Sequence, residues 1–339
     1  MKDLRLITIT LAMMTFVACG PIQRTRQSED TPVRTPETEN LLINLKKVSA
    51  RGFMFGHHDD TNYGIGWEGD EGRSDVKSVC GDYPAVISFD LGHIELGDTM
   101  SLDKVPFTKI RKEILNQYKR GGMSSLSWHL RNPLTGGDSW DVSDTTVVKS
   151  ILPGGANHEK FTGWVSKVSA FINSLQTEEG VKVPVLFRPW HEHTGSWFWW
   201  GEKLCTPEEY KALWHITVDI LRNDGVDNAL YAYSPGSEPQ DTAQYLKRYP
   251  GDELIDLIGF DTYQFERDTY LANLEKSLAI VDSIGKAHNK VIAITETGYE
   301  GIPDPKWWTE TLLPGIGNYP IAYLSLIHIS EPTRLRRIS

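Results

Sequence analysis

Val183-Pro184-Val185-Leu186-Phe187-Arg188 is a short, nearly continuous apolar run ending on a charge, and Thr206-Pro207-Glu208-Glu209 opens a helix after it. Thr206 is placed to cap that helix, Pro207 suits its first position, and Glu209 completes a capping box. Tyr210, Leu213, Trp214, Thr217, Ile220 and Leu221 then form the apolar stripe of an amphipathic helix. A run apolar on both faces, followed by a helix that covers it, is the unit of a parallel sheet. The pattern repeats in both directions. Further runs occupy 53–57, 85–90, 123–128, 229–234, 255–261, 291–296 and the chain from Ile321 onward. Between them lie helical stripes: Phe107, Ile110, Ile114 and Tyr118; Phe161, Trp164, Val165, Val168, Ile172 and Leu175; and Leu271, Leu274, Leu278 and Val281. Eight strand–helix units in roughly 300 residues predict a single-domain (β/α)8 TIM barrel. A doubly wound sheet would carry a Gly-rich phosphate turn after its first strand, and Gly56-His57-His58-Asp59 has one Gly and no such spacing.

The chain has 339 residues, 40% of them hydrophobic and 24% charged, a mixture that excludes wholesale disorder. Its 35 Lys and Arg against 45 Asp and Glu give a net charge of -10, with no basic cluster in the body, which argues against nucleic acid as a partner. Ahead of the barrel, Lys2 and Arg5 precede a 13-residue apolar run, Leu6 to Ala18, too short to span a bilayer. Residues 1–18 read as a lipoprotein signal peptide, and Val17-Ala18-Cys19-Gly20 as its cleavage site, with Cys19 lipidated as the first mature residue. Residues 19–38 read as a polar tether, and 39–323 as the barrel. The expected location is therefore the periplasm or outer membrane of a bacterium, with membrane contact through the N-terminal lipid only. Cys80 precedes one strand and Cys205 follows the far end of another, so the two are expected to remain free thiols.

In such a barrel the C-terminal strand ends carry the chemistry. His57 and His58 end strand one, Asp90 and His93 strand two, Trp128 and His129 strand three; Arg188, His191 and Glu192 strand four; Asp261 and Tyr263 strand six; and Glu296 strand seven. Glu192 and Glu296 thus face each other across the mouth. A pair of carboxyl groups, one kept protonated and one ionised, is what glycoside cleavage needs. Trp197-Phe198-Trp199-Trp200 directly follows strand four and reads as a loop platform for the apolar faces of sugar rings. A metal centre is disfavoured, because the His57-His58-Asp59-Asp60 cluster and the His191/His193 pair lie on different strands and no Cys joins them. Ser-His-Asp catalysis is disfavoured because the chain has no Gly-x-Ser-x-Gly elbow. Neither a metal nor any other cofactor is expected.

The string Phe187-Arg188-Pro189-Trp190-His191-Glu192-His193-Thr194-Gly195-Ser196-Trp197-Phe198-Trp199-Trp200-Gly201 resembles glycoside hydrolase family 26, the β-mannanases. So do Ser127-Trp128-His129, Phe260-Asp261-Thr262-Tyr263 and Thr295-Glu296-Thr297-Gly298. The resemblance spans about residues 40 to 323. It implies an endo-β-1,4-mannanase that cleaves mannan, galactomannan or glucomannan by retaining double displacement, with Glu192 as acid/base and Glu296 as nucleophile. By the same resemblance Arg188, His191, Tyr263, His129, Trp128 and Trp197 bind substrate, Tyr263 holding the nucleophile and Trp197 stacking near the cleavage point. Retention also sets the expected separation of the two carboxyl groups, about 5 to 5.5 Å. Relatives that cleave β-1,3-xylan or mixed-linkage β-glucan, or release mannobiose from chain ends, are the alternatives within the family. A non-catalytic glycan-binding lipoprotein is the alternative outside it. Residues 324–339 depart from the family pattern and resemble translated adapter sequence, so they are expected to be a non-native tail that alters the last βα unit.

Overall fold

A computed structural model describes residues 34–299 and 301–327. The signal peptide, Cys19, most of the tether and the tail from 328 lie outside the described residues. Eight strands form one closed parallel barrel: β1 (Met54–His58), β2 (Val86–Asp90), β3 (Met123–Ser127), β4 (Val185–Arg188), β5 (Ala229–Tyr233), β6 (Leu257–Tyr263), β7 (Val291–Gly298) and β8 (Ile321–Leu326). They pair in sequence order, and β8 closes on β1.

Side chains alternate along each strand, and the alternation sorts two cores. Val86, Met123, Leu186, Leu257, Val291 and Tyr323 point inward and fill the lower barrel. Ile87, Leu126, Phe187, Ile258 and Ile292 point outward against the helices. Helix α1 (Pro36–Ser49) adds Leu45 to the inner cluster and so stoppers the N-terminal end. The longer helices of the outer layer are α2 (Phe107–Lys119), α3 (His158–Asn173), α4 (Pro207–Asn223) and α5 (Arg267–His288). The α4 capping box forms as the sequence predicts, with Thr206 Oγ1 accepting from the Glu209 N–H and the Glu209 carboxylate accepting from the Thr206 N–H. Cys80 and Cys205 are free. Among the described residues no helix is long and apolar enough to cross a membrane.

Two expected boundaries move. The tether was expected to reach residue 38, but Thr35 caps α1, and Arg34 donates to Asp256 Oδ1 at 2.6 Å, so the chain from 34 onward is part of the body. The tail was expected from 324, but Leu324, Ser325 and Leu326 are buried and complete β8. Leu324 and Leu326 join the outer core.

The strand that matters most is irregular. Alternation on β7 puts Val291 and Ala293 inward and Ile292 and Ile294 outward. Phe260 pairs with Ile294 but Asp261 pairs with Glu296, so β7 carries one extra residue there. The register with β8 slips at the same place, from Leu324↔Ile294 to Leu326↔Thr297. Such a bulge re-aims the side chains that follow it. Thr295 points inward, donating to Asp261 Oδ1 at 2.6 Å, and Glu296, which strict alternation would turn outward, also faces the barrel axis.

Candidate active site

The inward positions at the C-terminal end hold Asp90, Arg188, Asp261, Tyr263 and Glu296, and the loops after β3 and β4 bring in His129, His191 and Glu192. Arg188 is the hub. It is buried, with Nη1 donating to Ser234 Oγ at 3.0 Å and to Asp261 Oδ2 at 2.8 Å, and Nη2 donating to Glu296 Oε1. The other Glu296 oxygen accepts from the Tyr263 hydroxyl. Burial alone would push the Glu296 carboxyl up, but the Arg188 charge and the Tyr263 hydroxyl outweigh it and hold the group below the ordinary glutamate range. Asp261 is pushed well above the carboxylate range, by burial first and then by the charge of Glu296, although Arg188 pulls it back.

Glu192 arrives differently. β4 ends at Arg188, and the backbone then turns left-handed at Trp190 (φ 58°) and again at Glu192 (φ 51°). The Glu192 N–H is tied to Ser234 O at 2.9 Å, and the Trp190 carbonyl accepts from the Tyr210 hydroxyl at 2.7 Å. Among the described residues, the half-buried Glu192 side chain has one hydrogen-bond donor, Trp197 Nε1 at 2.9 Å from Oε2. Burial, and then the charges of Asp261 and Glu296, push Glu192 well above the ordinary range, while the Trp197 N–H works against the shift. The aromatic wall therefore acts by excluding water, and its nearest indole N–H favours the ionised form. One mouth thus holds two carboxyl groups driven in opposite directions, the arrangement that separates an acid from a nucleophile.

His129 Nδ1 lies 2.7 Å from Asp90 Oδ2, and its Nε2 lies 3.1 Å from His191 Nε2. Trp140 stacks on His129 at 5.4 Å with the rings 9° from parallel. Sequence reasoning placed Asp90 and Asp261 at the chemistry-bearing strand ends but gave them no role, and it did not single out Trp140. Asp90 and Asp261 carried the right signal, being polar at inward strand ends, whereas Trp140 sits deep in the β3 loop, where no periodicity marks it.

Two expectations about tryptophan are corrected. Trp128 is fully buried, packs on Phe161, Phe187 and Trp190, and donates Nε1 to Glu95 Oε2 at 3.1 Å, so it is part of the core and not a substrate wall. Alternation carries the reason: Met123 points inward, so Leu126 and Trp128 point outward. In the expected platform 197–200, Phe198, Trp199 and Trp200 are likewise core, and Trp197 alone is half-exposed.

Two groups of side chains bring possible metal-ligand atoms within 4.8 Å of one another. In His191, Asp261 and Glu296, the two carboxylates already share the Arg188 guanidinium, whose charge opposes a cation. In His58, Asp59 and Asp103, the imidazole Nε2 lies 3.3 Å from Asp59 Oδ2 and 3.8 Å from Asp103 Oδ2; burial would lower this imidazole, but the two aspartates outweigh it and hold it well above its ordinary range.

The sequence profile of glycosyl hydrolase family 26 matches residues 31–310. The chain belongs to glycosyl hydrolase family 26. A family 26 β-mannanase structure from Bacteroides ovatus is 58% identical, with a TM-score of 0.87 over 90% of this chain and 92% of that one. A mannan endo-1,4-β-mannosidase of Bifidobacterium adolescentis is 34% identical over 279 residues, covering 79% of this chain and 27% of that one. One from Bacillus subtilis is 28% identical over 235 residues, covering 66% and 60%. The family 26 chain thus spans little more than a quarter of the Bifidobacterium protein and three-fifths of the Bacillus one.

Proposed function

We propose that the chain is an endo-β-1,4-mannanase that hydrolyses mannan, galactomannan or glucomannan with retention at the anomeric carbon. The observation that carries this reading is the opposed pair: Glu296 held ionised by Arg188 and Tyr263, and Glu192 kept protonated by burial and by neighbouring negative charge. The names of the Bifidobacterium and Bacillus relatives support mannan as the polymer. In the first step Glu296 attacks the anomeric carbon while Glu192 gives its proton to the glycosidic oxygen, so the bond to the leaving chain breaks as a glycosyl ester forms. In the second, Glu192 takes a proton from water, and the water oxygen displaces Glu296. Arg188 and Tyr263 orient the nucleophile, His129 and His191 line the sugar site beside it, and the half-exposed Trp197 ring stacks next to the bond being cleaved.

A reducing-sugar assay on mannan, mixed-linkage β-glucan and β-1,3-xylan tests this, with NMR of the first product. Rapid release from mannan, a fast fall in viscosity and a β-configured first product are expected. Exclusive action on either other polymer, mannobiose release without loss of viscosity, or an α-configured product overturns the corresponding part. Binding of mannan with no hydrolysis would make the chain a glycan-binding module. We also propose, from the sequence pattern 16–20, that Cys19 is lipidated and anchors the protein to a bacterial membrane. Detergent-phase partitioning of the wild type, lost in Cys19→Ala, checks it.

A further inference from the structure

Asp90 ends β2, is buried, and has four donors around it. Its Oδ1 accepts from the backbone N–H of Gly92 at 2.6 Å and of His129 at 3.2 Å. Its Oδ2 accepts from the Ser127 hydroxyl at 2.7 Å and lies 2.7 Å from His129 Nδ1. Burial alone would raise this carboxyl, but the His129 ring and these donors hold it well below the carboxylate range. An ionised carboxylate only accepts, so the hydrogen in the last contact belongs to His129 Nδ1.

That assignment propagates. The gap of 3.1 Å between His129 Nε2 and His191 Nε2 holds one hydrogen. Burial, with the charge of Arg188 adding to it, pushes His191 well below the ordinary imidazole range, so its ring carries a single hydrogen. His191 Nδ1 is buried and has no hydrogen-bond partner among the described residues. A hydrogen placed there would be a buried N–H with no acceptor, the rare and costly case. Placed on Nε2 it is donated to His129, and every ring N–H in the chain of three has an acceptor. Phe198 packs against both imidazoles, at 5.1 and 5.4 Å, and Trp140 covers the face of His129, so neither ring is free to turn.

We infer that Asp90 is a positioning residue of this site: through His129 it sets the direction of the Asp90–His129–His191 relay, so that both ring hydrogens point toward Asp90 and away from Glu296. The inference rests on Glu296 being the nucleophile. A ring nitrogen of His191 lies within 4.8 Å of carboxylate oxygens of Glu296 and Asp261. With its one hydrogen committed to His129, His191 has none to give to the oxygen that attacks sugar.

The full chain labelled with 15N-histidine tests this by long-range proton–nitrogen correlation spectra, with His129→Gln and His191→Gln for assignment. The wild type should show the His129 hydrogen on Nδ1 and the His191 hydrogen on Nε2. Asp90→Asn should move hydrogen onto His129 Nε2 and lower kcat on mannan by roughly tenfold to a hundredfold, the usual effect of losing a partner that orients a functional imidazole, with KM changing far less. A wild-type His191 protonated on Nδ1, a doubly protonated His129, or an Asp90→Asn protein with unchanged tautomers and kcat overturns the inference. If Asp90→Asn does not fold, the wild-type spectrum alone decides. Wild-type protein with the expected tautomers but no hydrolysis of any β-glycan would sink the functional reading and leave the relay standing.

Discussion

At the end of β4 the strand stops and Glu192 arrives on a loop that turns left-handed twice, whereas β7 runs on through Glu296 and admits one extra residue. Left-handed backbone at two residues other than glycine costs on the order of 1 kcal/mol each. The loop is held from below by Arg248, whose guanidinium donates to the carbonyls of His193 at 2.6 Å and Cys205 at 2.9 Å. Glu296 pairs with Asp261 on β6, the next residue, Thr297, pairs with Leu326 on β8, and two side-chain donors hold the Glu296 carboxylate. The difference matches the two kinds of chemical work that the proposed mechanism assigns to Glu296 and Glu192. A nucleophile must return to one place and one charge. An acid that later serves as base must change charge within a turnover, and a site where Trp197 is the hydrogen-bond donor, partly open to water, lets it do so.

Exchanging or removing the two environments should break this contrast in graded steps. Glu296→Ala removes the attacking atom and should lower kcat on mannan by roughly 10⁵-fold or more, the scale set by deleting a covalent nucleophile, while mannan binding by affinity electrophoresis persists. Glu192→Ala should cost about 10²- to 10⁴-fold, and much less on an aryl mannoside whose leaving group needs no proton, as single-turnover kinetics would show. Tyr263→Phe sharpens the comparison on the nucleophile side. Without the hydroxyl the ionised form of Glu296 loses a stabiliser and its pKa rises. The acid limb of kcat/KM should therefore move up by about one to two pH units, the equivalent of a charge-assisted hydrogen bond. Trp197→Phe is the counterpart at Glu192, removing the one N–H that favours its ionised form. The alkaline limb should then move up by roughly half to one unit, with only a few-fold loss of rate.

The barrel was readable because each strand is a short apolar run and each helix carries its own stripe, as the α4 capping box illustrates at single-residue scale. The candidate pair was readable because Glu192 and Glu296 follow such runs at the same end. What periodicity could not convey was the irregular backbone. Nothing in Ile294-Thr295-Glu296 announces a bulge, since the extra residue exists only relative to β6 and β8. The same pleat, followed one residue past Ser127, would have sent Trp128 into the core. Its identity as a large amphipathic ring suggested a sugar contact, while its position had already decided otherwise. The run 197–200 misled in the same way: its loop packs Trp199 and Trp200 on Trp190 and buries them as thoroughly as any strand does.

Arg188 is shared by two acids, and that sharing has a consequence for the covalent stage of turnover. If Glu296 becomes an ester, as proposed above, its negative charge is gone, and the guanidinium would be left buried and uncompensated were it paired to that group alone. Asp261 sits 2.8 Å away on the other amino group, held high partly by the very charge that has just vanished. Esterification would therefore bring the Asp261 carboxyl back toward its ordinary range while it stays bonded to Arg188, so the second acid remains the guanidinium's partner until water restores the first.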